Sequence, residues 1–140
     1  MHRIRSWGLG AGLLAACAAG PALAHHSFAM FDQSKQLTLA GSVKEFQFTN
    51  PHAFIELRVP AAAGGAATDW SIELNSPNNL RRQGWSRDSL KGGDRVTVVI
   101  NPLREGKSGG LFVAATLADG KVLGDPTRAG GGPVNVPTFK

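Results

Sequence analysis

The stretch LTLAGSVKEFQF, residues 37–48, decides the fold of this chain. In its first half the large apolar residues stand at odd-numbered positions, Leu37, Leu39 and Val43. In its second half they stand at even-numbered positions, Phe46 and Phe48. Such alternation is typical of a β-strand with one face on a core. A β-bulge near Lys44 and Glu45 would change that face, and Gly41 would ease a bend. We therefore predict one long strand that bulges and bends.

Four shorter segments repeat the period of two. They are residues 54–59, 70–74, 95–100 and 111–117. In each segment the alternation predicts a strand with one face on the core, and Ile72 is one of the residues expected there. Three carboxylates fall on the opposite faces and are expected to face solvent, namely Glu45, Glu56 and Glu73.

A helix is predicted within residues 75–90, ahead of the fourth strand. Ser76 is placed to cap it, Pro77 suits its first position, and Gly84 ends it. The apolar residues of this segment are expected to point into the core; they are Leu80, Trp85 and Leu90.

The order strand, strand, strand, helix, strand, strand indicates a mainly β fold of the OB type. That fold is a five-stranded Greek-key barrel, here with one short helix between strands three and four. The long, bulged first strand favours it, because in such barrels this strand bends to join both sheets. A β-sandwich is the alternative. We assign residues 25–123 to the barrel domain and the Gly- and Pro-rich residues 124–140 to a flexible C-terminal tail.

Residues 1–24 are typical of a secretion signal, which must be set aside before the fold is considered. Its parts are a positive start at Arg3 and Arg5, a short apolar run over residues 7–19, and the small-x-small triplet Ala22-Leu23-Ala24. The apolar run is too short to span a bilayer as a helix. Cleavage after Ala24 predicts a periplasmic or secreted protein that begins at His25.

Cys17 offers a second processing route. The sequence Leu14-Ala15-Ala16-Cys17 resembles a bacterial lipobox, in which Cys17 would carry a lipid anchor. No apolar run after the signal is long enough for a transmembrane span. Cys17 is the chain's one cysteine, so a chain cut after Ala24 has no disulfide and no thiolate chemistry.

The charge of the chain gives no reason to expect a nucleic-acid partner. Removal of the signal leaves thirteen basic and ten acidic residues, a formal charge of +3. The basic residues are dispersed except at Arg81 and Arg82, which a solvated helix face explains.

Several motifs together resemble an exported bacterial family of unknown function, DUF6152. They are HHSFAMFD at 25–32, GSVKEF at 41–46, TNPH at 49–52, Trp70, Glu73-Leu74, Leu80, Gly84-Trp85, Leu90, Gly92, GDRV at 93–96, Asn101-Pro102 and ADG at 118–120. The resemblance covers nearly all of the mature chain except the tail, and the loop at 61–67 departs from it. It implies a periplasmic location and carries no assigned activity. More loosely, the chain looks like small periplasmic OB-type barrels.

Three histidines remain after cleavage, and all three lie in these motifs. A terminal His25 offers a metal both its amine and its ring, His26 adds a second ring, and His52 a third. This nitrogen-rich set suits Cu(II), and less selectively Zn or Ni. The structural alternative is that His25 and His26 are an exposed terminus and that His52 bonds the backbone of a turn.

Neighbouring residues complete the predicted site. Asn50, Pro51 and His52 form a loop between strands one and two, at the barrel mouth where such folds bind ligands. Glu56 or Asp32 could add an oxygen ligand.

We therefore predict a periplasmic binding module for a divalent metal, with copper as the favoured ion. One alternative is a metal-free module that binds a periplasmic protein partner or a small ligand through residues 50–52. Another is a small copper-dependent redox enzyme. No catalytic residue is predicted, because the sequence has no Ser-His-Asp order, phosphate-binding Gly loop or Cys-based metal knuckle.

Overall fold

A computed structural model describes residues 28–125 of the chain. Its strands are β1 (Leu37–Gln47), β2 (Phe54–Val59), β3 (Thr68–Glu73), β4 (Arg95–Pro102), β5 (Gly109–Leu117) and β6 (Val122–Gly124). The helix α1 (Pro77–Arg82) lies between β3 and β4. Single 3-10 turns occur at Phe28–Met30 and at Ala62–Gly64. In the described part of the chain, no helix is long and apolar enough to cross a membrane.

The first five strands close into a barrel. They follow the order β3-β2-β1-β4-β5 through antiparallel pairs, and β3 then pairs with β5 in parallel. Residues 71–73 of β3 lie against residues 109–111 of β5, which closes the ring. This is the predicted OB-type barrel with one short helix between its third and fourth strands, and the alternative β-sandwich is not adopted.

Strand β1 joins the two sides of the barrel as predicted. Its residues 37–42 pair with β4, and its residues 42–47 pair with β2. The register against β2 shifts between Val43 and Glu45, which is the expected bulge. At Gly41 a Cβ atom would lie 2.4 Å from the carbonyl oxygen of Arg58, so only glycine permits this approach of the two strands.

The core lies inside the barrel, on the face that the alternation predicts. The largest fully buried side chains in it are Ile55, Leu57, Ile72, Val98 and Ile100. The apolar residues of the helical segment belong to the same core and are each 2% exposed: Leu80, Trp85 and Leu90. Ser76 caps α1 by accepting a hydrogen bond from the Asn79 amide at 3.4 Å, and Gly84 follows the helix with φ of +86°.

The sixth strand was not predicted from the sequence. Residues 122–124 pair with β5 after the turn at Asp119-Gly120, and the amide of Asp125 donates to the carbonyl of Val113 at 3.2 Å. Gly124, assigned to the tail, therefore belongs to the sheet. Residues 126–140 of the predicted tail and the predicted signal lie outside the described residues.

The segment ahead of β1 is also packed on the barrel. Phe31 is 4% exposed and forms a β-bridge with Leu103. The Asp32 amide donates to the carbonyl of Pro102 at 2.8 Å, and the Asn101 side-chain amide donates to the carbonyl of Lys35 at 2.8 Å. The course of the chain before β1 is thereby set by the end of β4.

Candidate functional site

A cleft of about 610 Å³ lies beside the end of the β3–β5 pairing. Its volume is in the range of natural small-ligand pockets. The apolar part of its wall comes from the N-terminal segment, the residue after β3, α1 and β5: Phe28, Leu74, Leu80, Leu111, Phe112 and Val113. The polar part comes from Gln33, His52, Glu73, Asn75, Gln83 and Asp125. The cleft therefore combines an apolar wall with a few polar groups.

His52 reaches the cleft because the pairing of β2 with β3 extends beyond Phe54, the first residue of β2, to Ala53. The Leu74 amide donates to the carbonyl of Ala53 at 2.8 Å, and the Ala53 amide donates to the carbonyl of Asn75 at 3.2 Å. Phe54 lies opposite Glu73, and His52 is two residues before Phe54 on the same face. The additional backbone pairing therefore makes His52 a diagonal neighbour of Glu73. The two side chains are in direct contact, Nδ1 of His52 with Oε1 of Glu73.

Glu73 is a residue that sequence reasoning placed wrongly. It was expected to face solvent, but its side chain is 13% exposed and lines the cleft beside His52. The strand phase was right, since Ile72 faces the core and Glu73 the other way. What alternation cannot show is that other elements cover this outer face. The sequence does show that His52 and Phe54, two positions apart, lie on the same face of the strand. Combined with the register that puts Phe54 opposite Glu73, this would have predicted the contact between His52 and Glu73.

The two predicted oxygen ligands lie elsewhere. Glu56 accepts a hydrogen bond from the Ser71 hydroxyl at 2.7 Å, and four residues of extended chain, roughly 13 Å, separate it from His52. Asp32 accepts from the Ser34 hydroxyl at 2.6 Å and pairs with Lys35 at 3.3 Å. The Ser34 hydrogen bond is the main reason why the pKa of Asp32 lies below its usual value. Neither carboxylate lines the cleft.

The remaining predicted site residues divide between described and undescribed parts of the chain. Asn50 and Pro51 are exposed, with a cis peptide bond between them, and do not line the cleft. His25 and His26 lie outside the described residues. Within residues 28–125, no group of three His, Cys, Asp or Glu side chains is close enough to hold a metal ion.

The N-terminal segment nevertheless reaches the same cleft as His52. Phe28 lines it and is 59% exposed. Arg104 holds the next two residues: its Nε donates to the carbonyl of Ala29 at 2.9 Å, and its backbone amide donates to the carbonyl of Met30 at 3.0 Å. Together with buried Phe31, these contacts fix the direction from which the chain arrives.

The charge at the cleft differs from that of the chain as a whole. The chain carries a formal charge of +5, yet neither Lys nor Arg occurs among the described residues that line the cleft. Glu73 and Asp125 contribute carboxylates to the lining, and His52 is its one basic side chain in the part of the chain described. A cleft lined in this way favours a cation over an anion.

A tryptophan lies directly behind the cleft wall. The ring of Phe112, which lines the cleft, contacts the buried ring of Trp85 edge-on, with centroids 5.3 Å apart. Trp85 also packs against Phe46, with centroids 5.8 Å apart. The fluorescence of Trp85 should therefore respond to an occupant of the cleft.

Comparisons with known proteins identify a family and a structure of similar fold. The family described as "Family of unknown function (DUF6152)" matches residues 13–113. Among solved structures, the mitochondrial single-stranded DNA-binding protein Rim1 of S. cerevisiae is similar over 60% of this chain and 93% of that chain. The TM-score is 0.47 and the sequence identity 10%. The search of curated proteins found no match.

Proposed function

The chain belongs to the DUF6152 family, whose function is unknown, and from this premise we propose that it is an exported periplasmic protein that binds a divalent metal ion, with Cu(II) favoured. The metal site is the end of the cleft at His52, completed by His25 and His26. This proposal keeps the three histidines predicted from the sequence and drops Glu56 and Asp32 as ligands.

One observation carries the proposal: Phe28 and His52 line the same cleft. His26 is two residues from Phe28, and an extended backbone spans about 7 Å over that distance. The contacts of Arg104 and Phe31 hold the chain at the point where it meets the cleft. Chain connectivity therefore limits how far the backbone of His26 can lie from Phe28, which shares the cleft with His52.

The chemistry of the donors supports copper among divalent ions. A chain that begins at His25 offers an amine nitrogen and a ring nitrogen from one residue, and His52 offers another ring nitrogen. Imidazole and amine nitrogens suit Cu(II), which binds a given nitrogen site more tightly than the other divalent first-row metals. The carboxylates of Glu73 and Asp125 add a negative field at the cleft.

The direct test is a calorimetric Cu(II) titration of the chain that begins at His25, with Trp85 fluorescence as a second signal. His52→Ala should weaken binding by about tenfold or more, since losing a ligand should cost at least as much as losing a residue that only hydrogen-bonds to a ligand. One extra residue ahead of His25 should also weaken it, because the amine leaves chelate reach of the His25 ring while every side chain remains. If the parent binds Cu(II) no better than a variant with both changes, the proposal is wrong.

Proton competition gives an independent check. A terminal amine has a pKa of about 7.7–8.0, so copper must displace a proton from it at neutral pH. Binding should therefore release protons, and the affinity should fall as the pH is lowered from 8. Equal affinity at pH 8 and pH 6 would contradict nitrogen ligation.

Export to the periplasm is part of the proposal and has its own measurement. The mass of the N-terminal peptide of the exported protein should correspond to a start at His25. A lipid-modified Cys17 as the first residue would remove the terminal amine of His25 and leave only its ring.

A second candidate function is binding of a small organic ligand without metal. The cleft, at about 610 Å³, is far larger than one ion requires, and its wall includes Leu111, Phe112 and Val113. Metal titration of the chelator-treated protein separates the two candidates. The third alternative, a copper-dependent redox enzyme, requires turnover with copper and an added reductant.

A further inference from the structure

The carboxylate of Glu73 contacts Nδ1 of His52, and this contact determines which of the two ring nitrogens is available to a metal. We propose that Glu73 is a positioning residue that places a proton on Nδ1 of His52 and directs Nε2 to the metal. The proposal rests on the proposed metal site for its ligand assignment, whereas the position of the proton can be measured without metal.

The chemistry of the two groups decides where the proton lies. A neutral imidazole carries one N–H and one lone pair, and an ionised carboxylate only accepts hydrogen bonds. Nδ1 of His52 faces Oε1 of Glu73, so the proton belongs on Nδ1. The lone pair is then on Nε2, which makes Nε2 the nitrogen that can ligate.

Burial and geometry make this contact specific. The Glu73 side chain is 13% exposed and that of His52 is 29% exposed, so water competes only partly for either group. Among the described residues that line the cleft, Lys and Arg are absent, so no strong cation there competes for the carboxylate. Strand β3, which is paired with β2 and β5, carries Glu73, and the backbone hydrogen bonds of Ala53 hold the chain beside His52.

A carboxylate behind a ligating histidine fixes the tautomer and the ring orientation and raises the basicity of the ligating nitrogen. Loss of such a partner lowers metal affinity by about 10- to 100-fold in general. The rival interpretation makes Glu73 itself a metal ligand through oxygen. The two differ in what glutamine does at position 73, because its amide oxygen can still accept the Nδ1 proton but is a poor ligand for copper.

The first measurement is the tautomer of His52 in the metal-free chain. Long-range ¹H–¹⁵N spectra at pH 8, above the usual imidazole range, should show the Nδ1–H form in the parent; His52→Ala identifies the signal. Glu73→Ala should shift the ring toward the Nε2–H form. Glu56→Gln is the matched control, because Glu56 is a carboxylate on the neighbouring strand that bonds Ser71 outside the cleft. An Nε2–H form in the parent, or no change in Glu73→Ala, would overturn the proposal.

The second measurement is Cu(II) affinity in the same variants, with circular dichroism to confirm that each is folded. We expect Glu73→Ala to lose 10- to 100-fold, Glu73→Gln to lose less, and Glu56→Gln to match the parent. Equal losses in the Ala and Gln variants would overturn positioning in favour of direct ligation. If the parent binds no copper while the tautomer behaves as expected, the proposed function and the ligand assignment fail, and the role of Glu73 in orienting His52 stands.

Discussion

The strand phase of β3 leads to a prediction that compares two adjacent residues. Ile72 lies opposite Ile55 and beside Gly110, and its side chain is 0% exposed. Ser71 points the other way, is exposed, and bonds Glu56. Shortening Ile72 should therefore damage the core, whereas shortening Ser71 should not.

The magnitudes follow from burial. Ile72→Val removes one methyl group and should cost about 0.5–1.5 kcal/mol, and Ile72→Ala should cost about 2–5 kcal/mol because the barrel around it cannot collapse fully. Ile72→Asp adds the cost of burying a charge without a partner and should exceed both. Ser71→Ala should stay within about 0.5 kcal/mol of the parent. For a domain of this size each kcal/mol lowers Tm by about 4–8 °C.

The assay is thermal and urea unfolding of the chain that begins at His25, followed by circular dichroism and by tryptophan fluorescence. The order of stability should be parent and Ser71→Ala, then Ile72→Val, Ile72→Ala and Ile72→Asp, with an unchanged urea m-value in the folded variants. If Ser71→Ala and Ile72→Ala lost the same stability, the assignment of the two faces of β3 would be wrong.

Three further predictions concern the surface, the termini and the approach to the cleft. The pKa of Asp69 lies well below its usual 3.8, first because Arg58 and then because Lys44 donates a hydrogen bond to it. Asp69→Asn should therefore destabilise the protein at neutral pH, and unfolding measured across pH should show that this loss of stability shrinks as the pH falls below the usual carboxyl range. Deleting residues 126–140 should leave Tm nearly unchanged, since that segment is rich in Gly and Pro, and a large drop would show that it packs on the barrel. Phe31→Ala should cost about 3 kcal/mol of stability and should weaken Cu(II) binding in the folded protein, because the N-terminal segment loses its buried side chain. Unchanged copper affinity would show that the packing of Phe31 does not contribute to the metal site.

Much of the fold could be predicted because it depends on neighbours along the chain. Alternation determines which side of a strand is apolar, and it located the core face of β3 at Ile72 and the bulge of β1 after Val43. Capping is equally local: Ser76 and Gly84 mark the ends of α1 by their own hydrogen bonding and backbone conformation. The OB order followed from these elements taken in sequence.

Two packed segments could not be predicted, because they carry no periodic signal. Strand β6 has three residues, too few for a pattern, and forms only because β5 offers it a free edge. The segment around Phe31 depends on one buried ring and on backbone contacts with the end of β4, about seventy residues later in the chain.

The candidate site shows the same division most clearly. The sequence by itself determined that His52 follows the first strand and that Glu73 lies on the outer face of the third. The tertiary structure decided that this outer face is covered, since β5 closes against β3 and its continuation forms a wall of the cleft. It also decided that Glu73, not Glu56 or Asp32, is the carboxylate that contacts His52. The physical reason is that a strand's alternation specifies only the direction of a side chain, whereas its partner and its exposure depend on strands that the closure of the barrel brings together.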